Sequence, residues 1–273
     1  MLSYDLLKNR AIIQLSGKDA ESFLLRIITN VIPKDREAKY SMILSPQGRY
    51  LFDFFIINNN NVFFIDCLAK IKTSLLLRLN MYKLKSEVEV TDVSAFYDVL
   101  YTRSILTNSN IIKIFSQYRD PRFNKMGFRV LVEKLDINHT KYTPNLYLED
   151  KYKFTIPDGE IDLLHNKSIP IEYGADKLNA ISYTKGCYIG QELISRVKSQ
   201  GVVRKKIYNI NSNDDLSNIQ SQTAVILDDN VIGSWCSSYK NQAIALVKES
   251  NYCHDQLITV QNIQAKLSVP EWR

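Results

Sequence analysis

The run KGCYIGQE at 185–192 sets Cys187 between Gly186 and Gly190, two residues after Lys185. The stretch after Gly190, QELISRV, carries Leu193, Ile194 and Val197 at helical spacing and reads as a helix. A thiol just ahead of a helix start lies near unpaired N–H groups of partial positive charge, and a neighbouring lysine adds to that field. Both favour the thiolate relative to a free cysteine, whose pKa is about 8.5. The thiolate is the reactive form of cysteine. A lone cysteine also serves commonly as a small buried hydrophobe. The flanking glycines weigh against that role, since packing needs no extra backbone freedom. Local physics leaves both readings open.

At 273 residues the chain suits two or three packed units, and 45% hydrophobic with 23% charged residues is ordinary for a globular protein. The net charge of +6 attracts anionic partners without demanding a nucleic acid. Cys67, Cys236 and Cys253 are scattered, no C-x-x-C pair occurs, and only His139, His165 and His254 are present. Neither a disulfide framework nor a resident metal centre is expected. No secretory signal and no apolar run of about 20 residues is visible, so the expected location is cytoplasmic, with no membrane partner.

The elements that must position the thiol follow from periodicity. RAIIQL at 10–15 reads as a strand, followed by a helix through Ala20, Phe23, Leu24, Ile27 and Ile28, with Ser16 or Asp19 as its cap. Strands are expected at 38–44 and 50–57, joined by SPQG as a type I turn with Gly48 fourth, and at 62–67. A helix over 68–82 and strands near 86–91, 96–102 and 127–134 complete an α+β, ferredoxin-like sandwich. A helical stretch falls within 145–157, before the turn Asp158-Gly159. After Arg204, short apolar alternations separated by Asn, Asp and Ser turns predict a small β-barrel.

KGCYIGQELISR resembles the signature K-G-C-[FY]-x-G-Q-E of the YgfZ branch of the YgfZ/GcvT folate-binding family. LSGKDAESFLLRIITN, SPQGRYLFDF, RDPRFNKMGFR, SIPIEYGADKLNAISYTKGCY, VVRKK, VIGSWCSS and VPEW are similar to further family motifs. The resemblance covers nearly the whole chain. It implies a three-part, ring-like α+β fold around a hole that receives tetrahydrofolate or a one-carbon derivative. The implied division is a central folate-binding domain at 1–45 plus 135–200, a ferredoxin-like domain at 46–134, and a C-terminal β-barrel at 201–273.

The implied function is a tetrahydrofolate-binding accessory factor for iron–sulfur cluster assembly or repair, with Cys187 as the functional thiol and assembly proteins or client enzymes as partners. Lys185, Gly186, Tyr188, Gly190, Gln191, Glu192 and Arg196 form the motif around it. Lys185 either stabilises the thiolate or meets a folate carboxylate. The candidate folate contacts are Asp53, Arg122 and Glu172; Arg119 and Arg122 serve equally well in a salt bridge joining domains. Two departures weaken the folate expectation. One acid, Asp53, stands where the glycine-cleavage T-protein has two, and Lys151, Lys153 and Thr155 occupy a stretch where some relatives carry a pterin-binding Glu. Two other functions stay open: a folate-dependent aminomethyltransferase, and a protein associated with tRNA modification that uses the basic run RVKSQGVVRKK.

Overall fold

Alternation along the strands of a computed structural model explains its layering. The model describes residues 3–109, 112–135, 142–201, 203–251 and 257–273; Cys253, His139 and His254 lie outside them. Contacts divide the chain into one unit of residues 1–44, 51–147 and 179–189, and another of 45–50, 148–178 and 190–273.

In the first unit, a five-stranded sheet runs in the order β3 (Ala38–Leu44), β4 (Tyr50–Asn59), β5 (Val62–Leu68), β2 (Arg10–Ser16), β6 (Glu89–Asp92). Ile13 and Leu15 of β2, Phe54 and Ile56 of β4, and Phe63 and Ile65 of β5 face two helices, α1 (Ala20–Ile27) and α2 (Lys72–Lys83). Phe23, Leu24 and Ile27 of α1 and Leu75 and Leu79 of α2 fill that layer. The side chains in between, Ile12, Ile57 and Phe64, face Val99 and Leu131 of a second sheet. Its order is β1 (Tyr4–Leu6), β7 (Tyr97–Thr102), β9 (Phe128–Glu133), β8 (Ile114–Arg119).

A buried ion cluster lies between these sheets. Asp66 of β5 accepts from Arg10 Nε at 2.6 Å and from Arg129 Nη2 at 2.7 Å. Burial alone disfavours the Asp66 anion, but the two guanidiniums outweigh it and hold the carboxyl below its ordinary range.

Asp19 is the N-cap of α1, as expected, yet its carboxylate accepts the Glu87 N–H at 2.8 Å instead of capping the helix. The SPQG turn forms, with the Gly48 N–H donating to the Ser45 carbonyl at 2.8 Å. The expected helix at 68–82 begins as a 3₁₀ turn, Ala69–Ile71, before α2. Strands β1 and β8 were not legible in the sequence: one has three residues, and IFSQYR in the other is half-buried along most of its length with a register shift between Ile114 and Ser116.

In the second unit, which takes up α3 (Leu146–Lys153) from Leu148 onward, that helix precedes a short one, α4 (Gly159–Asp162), where the sequence suggested only a turn. Helix α5 (Gln191–Gln200) follows the motif. The expected C-terminal barrel is present and closed, in the order β10 (Lys205–Asn211), β13 (Gln242–Lys248), β12 (Asn230–Tyr239), β11 (Ala224–Leu227), β14 (Leu257–Val260), β15 (Ile263–Ser268). A bulge in β12 between Trp235 and Ser237 lets Trp235 enter the barrel core while Ser237 donates to Asp162 of α4. The same acid accepts from Lys151 Nζ at 3.0 Å, a fully buried lysine that fastens α3 to α4.

Candidate functional site

The motif loop, residues 179–189 of the first unit, is sewn to the C-terminal end of α1. At one end the Thr29 hydroxyl donates to the Ala180 carbonyl at 2.7 Å, and the Ser182 N–H donates to the Thr29 carbonyl at 2.9 Å. At the other end the Ile189 N–H donates to the Arg26 carbonyl at 3.3 Å. In the middle, Lys185 Nζ donates to the carbonyls of Leu25 at 2.8 Å and Ile28 at 2.6 Å. These carbonyls belong to the last turn of a helix, where acceptors are left over and the helix dipole favours a cation. Lys185 therefore acts as the helix's C-terminal cap. It is neither a solvated lysine nor an ammonium held out for a folate carboxylate. Burial pulls it down to about 8, and it lies over the ring of Tyr188 at 5.0 Å.

Tyr188 is buried and turns inward, and burial pushes its phenol up. Ile189 packs on the α1–α2 core. Between Lys185 and these residues, Gly186 and Cys187 are exposed. The arrangement is a tethered loop with an anchored residue on either side of an exposed thiol. Cys67 and Cys236 are buried, and burial pushes the Cys67 thiol up to about 12 and the Cys236 thiol well above its ordinary value. A Cβ on Gly186 would meet no atom within 4 Å, so neither crowding nor a positive φ requires glycine there.

The rest of the motif stands in the second unit. Gly190, at φ +83, is the N-cap of α5, and Gln191, Glu192 and Arg196 follow on that helix, the last two exposed. Gly48, at φ +71, lies against the same helix: a Cβ there would approach Leu193 Cβ to 2.7 Å.

Of the expected folate contacts, Asp53 and Arg122 come together on one aromatic cluster in the first unit. Asp53 is buried and accepts from the Tyr40 hydroxyl at 2.8 Å, and Arg122 lies over the Tyr40 ring at 5.4 Å. Arg122 is fully buried and bidentate on Asp120, with donor distances of 2.9 and 2.7 Å, and donates to the Tyr147 hydroxyl at 3.0 Å. Arg122 thus makes a salt bridge, but with a carboxylate two residues away inside the same unit and not the domain-joining bridge expected. Arg119 spends its Nη1 on the carbonyls of Asn124 and Met126. Glu172 stands in the second unit, on a cavity of about 280 Å³ that Lys206, Trp272 and Arg273 also line. Burial raises its carboxyl, opposed by Lys205 and Arg49.

Tetrahydrofolate is a poor fit to these residues. The cation expected to take its tail is committed to Asp120, and Lys151, at the stretch of the missing pterin-binding acid, is committed to Asp162. Among the described residues, no group of three or more His, Cys, Asp or Glu side chains is placed to hold a metal ion. No helix among them is long and apolar enough to cross a membrane.

This architecture is that of the glycine-cleavage aminomethyltransferase. Aminomethyltransferase T of the glycine cleavage system from Bartonella henselae superposes with a TM-score of 0.75 over 98% of this chain and 84% of that one, at 13% identity, a likeness of fold alone. No protein-family model matches the chain. Its curated relatives include iron–sulfur cluster assembly factors named IBA57. It is 31% identical over 216 residues to the mitochondrial homologue from Pyricularia oryzae, covering 74% of this chain and 55% of that protein. It is 29% identical over 232 residues to the mitochondrial mouse factor, covering 74% and 64%. The human factor is 25% identical over 303 residues, covering 97% and 84%. The chain thus spans little more than half to two thirds of the first two. The resemblance to the YgfZ/GcvT family holds on both grounds, fold and relatives. The expected cytoplasmic location does not: the named relatives are mitochondrial proteins. The absence of a secretory signal, from which that location was argued, does not distinguish cytosol from organelle.

Proposed function

We propose that this chain is a mitochondrial iron–sulfur cluster assembly factor that lends one thiolate, Cys187, to a cluster whose other ligands belong to a partner. The observation that carries the reading is the exposed thiol on a loop pinned at both ends and in the middle to α1. The names of the relatives supply the iron–sulfur context. Clusters take four ligands, commonly all thiolates, so one cysteine cannot hold one alone. The step is a ligand exchange. The Cys187 S–H gives its proton to solvent, the thiolate binds one iron, and that iron releases one ligand of the donor protein. No electron is transferred.

The pinned loop contributes positioning. Lys185, Tyr188 and Ile189 are fixed to the body of the unit, so the thiol pays little ordering entropy when the partner arrives. In cells lacking the endogenous factor, Cys187→Ser is expected to leave the protein folded and abundant but to lower the activity of a [4Fe–4S] client enzyme. Full client activity with the serine variant overturns the proposal. The fold match raises a second reading, methylene transfer to or from tetrahydrofolate. Robust transfer from an aminomethyl-lipoyl carrier by the purified chain selects that reading instead.

A further inference from the structure

Helix α2 is apolar on two opposite faces. Leu75 and Leu79 are fully buried against the five-stranded sheet, and Leu76 and Tyr82 pack at the margin of that core. On the far side, Leu77, Met81 and Leu84 are 63%, 63% and 85% exposed at spacing i, i+4, i+7. Leu77 and Met81 stack along that face, and Leu84, in a non-helical conformation, follows just past the helix end. Phe96, Ile105, Val231 and Leu257 are also more than half exposed, scattered along the sequence. Leu84 is also held at φ +45, an unusual angle for a residue with a branched side chain, at the end of α2. Beside it lies a shallow recess of about 730 Å³, lined by Asp19, Leu84, Lys85 and Ser86.

The charge around this row is mainly but not wholly positive: Asp19 lines the recess beside Leu84, and Glu87, paired with Lys18, follows Ser86. From 69 to 86 the chain carries Lys70, Lys72, Arg78, Lys83 and Lys85 and no acid. Lys72 reaches Asp92 of β6 at 2.6 Å, and Arg78 covers the Tyr82 ring at 5.5 Å. One residue also bonds both the thiol loop and the segment that follows α2. The Arg26 carbonyl accepts from Ile189, next but one to Cys187, while the Arg26 guanidinium donates to Ser86 Oγ at 3.1 Å just beyond Leu84.

We propose that this face of α2 docks the protein that completes the Cys187 site, an acidic partner offering an apolar groove to Leu77, Met81 and Leu84. The inference rests on the cluster-assembly reading of Cys187. An anionic bilayer shares the charge and the apolar character, but it brings no iron ligands to a thiol anchored on the same helix layer. Because the missing ligands must arrive on a protein, a surface beside the thiol that selects an acidic protein is what the site lacks.

The test uses the full chain with a photo-crosslinking benzophenone amino acid at Met81, and a control chain with the probe at Val231 on the barrel. In mitochondrial extract, one acidic, cysteine-bearing protein is expected to crosslink at 81 and, with diamide added as the two-electron oxidant, to form a mixed disulfide with Cys187, and not to crosslink at 231. That protein, purified, is expected to bind a Leu77→Ser/Met81→Ser/Leu84→Ser chain at least tenfold more weakly than the parent, with unchanged maleimide labelling of Cys187. An Arg78→Glu/Lys85→Glu chain is expected to lose affinity and most of its salt dependence. No adduct at 81 above the 231 control, or equal affinity of the triple variant, overturns the proposal. So does retention of the parent chain, but not the triple variant, by vesicles containing phosphatidylserine, if the crosslinked protein binds both alike. Self-association of the parent that the triple variant abolishes assigns the face to a second copy and likewise overturns it. A Cys187→Ser chain that keeps its client active while docking survives defeats the thiol's role alone, so the two failures are separable.

Discussion

Lys185 reaches back to the carbonyl of Leu25, 160 positions earlier in the chain, and donates to it at 2.8 Å. With the second bond to Ile28, the lysine of the motif closes the C-terminal end of α1. The loop's shape thus depends on a helix end that a linear reading cannot associate with it. Cys187 stands clear because its neighbour two positions before and its neighbour two positions after are both tied to that end.

This cap has a pH signature. Burial lowers Lys185 from an ordinary 10.5 to about 8, so between these values the folded chain binds fewer protons than the unfolded one. Stability then rises with pH across that window. The cost of burying the ammonium is fully present below pH 8 and fades as the amine becomes neutral, a form that still donates two hydrogen bonds. Urea midpoints measured from pH 7 to 10 are expected to climb in the parent relative to Lys185→Met. Parallel curves for the two proteins contradict the assignment.

The three described cysteines differ in access. Cys187 is exposed, whereas Cys67 and Cys236 are buried with raised thiol pKa values. Brief treatment of the native protein with a maleimide, read by peptide mass spectrometry, is expected to modify Cys187 and leave Cys67 and Cys236 protected until denaturant is added. Protection of Cys187 in the native state removes the basis of the proposed function.

Gly48 and Gly186 make a matched pair of opposite prediction. An alanine at Gly48 keeps a left-handed backbone and presses on Leu193, costing about 1–3 kcal/mol. An alanine at Gly186 meets nothing inside the protein and has no unfavourable φ to hold. Gly186→Ala is therefore expected to melt with the parent yet to slow ligand exchange at Cys187, since only a visitor would collide with the added methyl. Equal exchange rates show that the visitor does not approach over that residue.

The sequence revealed most where local pattern and tertiary demand coincide. The α1 periodicity, the SPQG turn and the barrel alternations were legible because each buries the face its spacing marks. Strand β8 was not, because IFSQYR is nearly uniformly half-buried and has no face to mark. The free thiol was legible from Gly186 and Gly190, although Gly186 earns its place by openness and only Gly190 by a positive φ. The partners of Lys185, Arg122 and Lys151 were hidden, since each pairing forms only when distant or irregular segments are brought together. The missed residues are Tyr40 and Asp120. Asp120 carries a signal in its own motif, because a carboxylate two residues from an arginine across a proline is poised for a local bidentate pair.

That pair gives the last prediction. Arg122 and Asp120 are both fully buried, and the guanidinium is further held over Tyr40, Phe55 and Tyr147. Removing one partner leaves the other charge buried alone, so Arg122→Met is expected to cost about 3–5 kcal/mol. Removing both, as Asp120→Asn/Arg122→Gln, leaves no uncompensated charge and is expected to recover part of that loss. Chemical denaturation of the three proteins checks the order. The fold-stabilising role also predicts that the double variant, being folded, binds tetrahydrofolate no differently from the parent when titrated calorimetrically. A double variant that keeps the parent's stability but loses tetrahydrofolate affinity restores Arg122 to the ligand and removes it from the core.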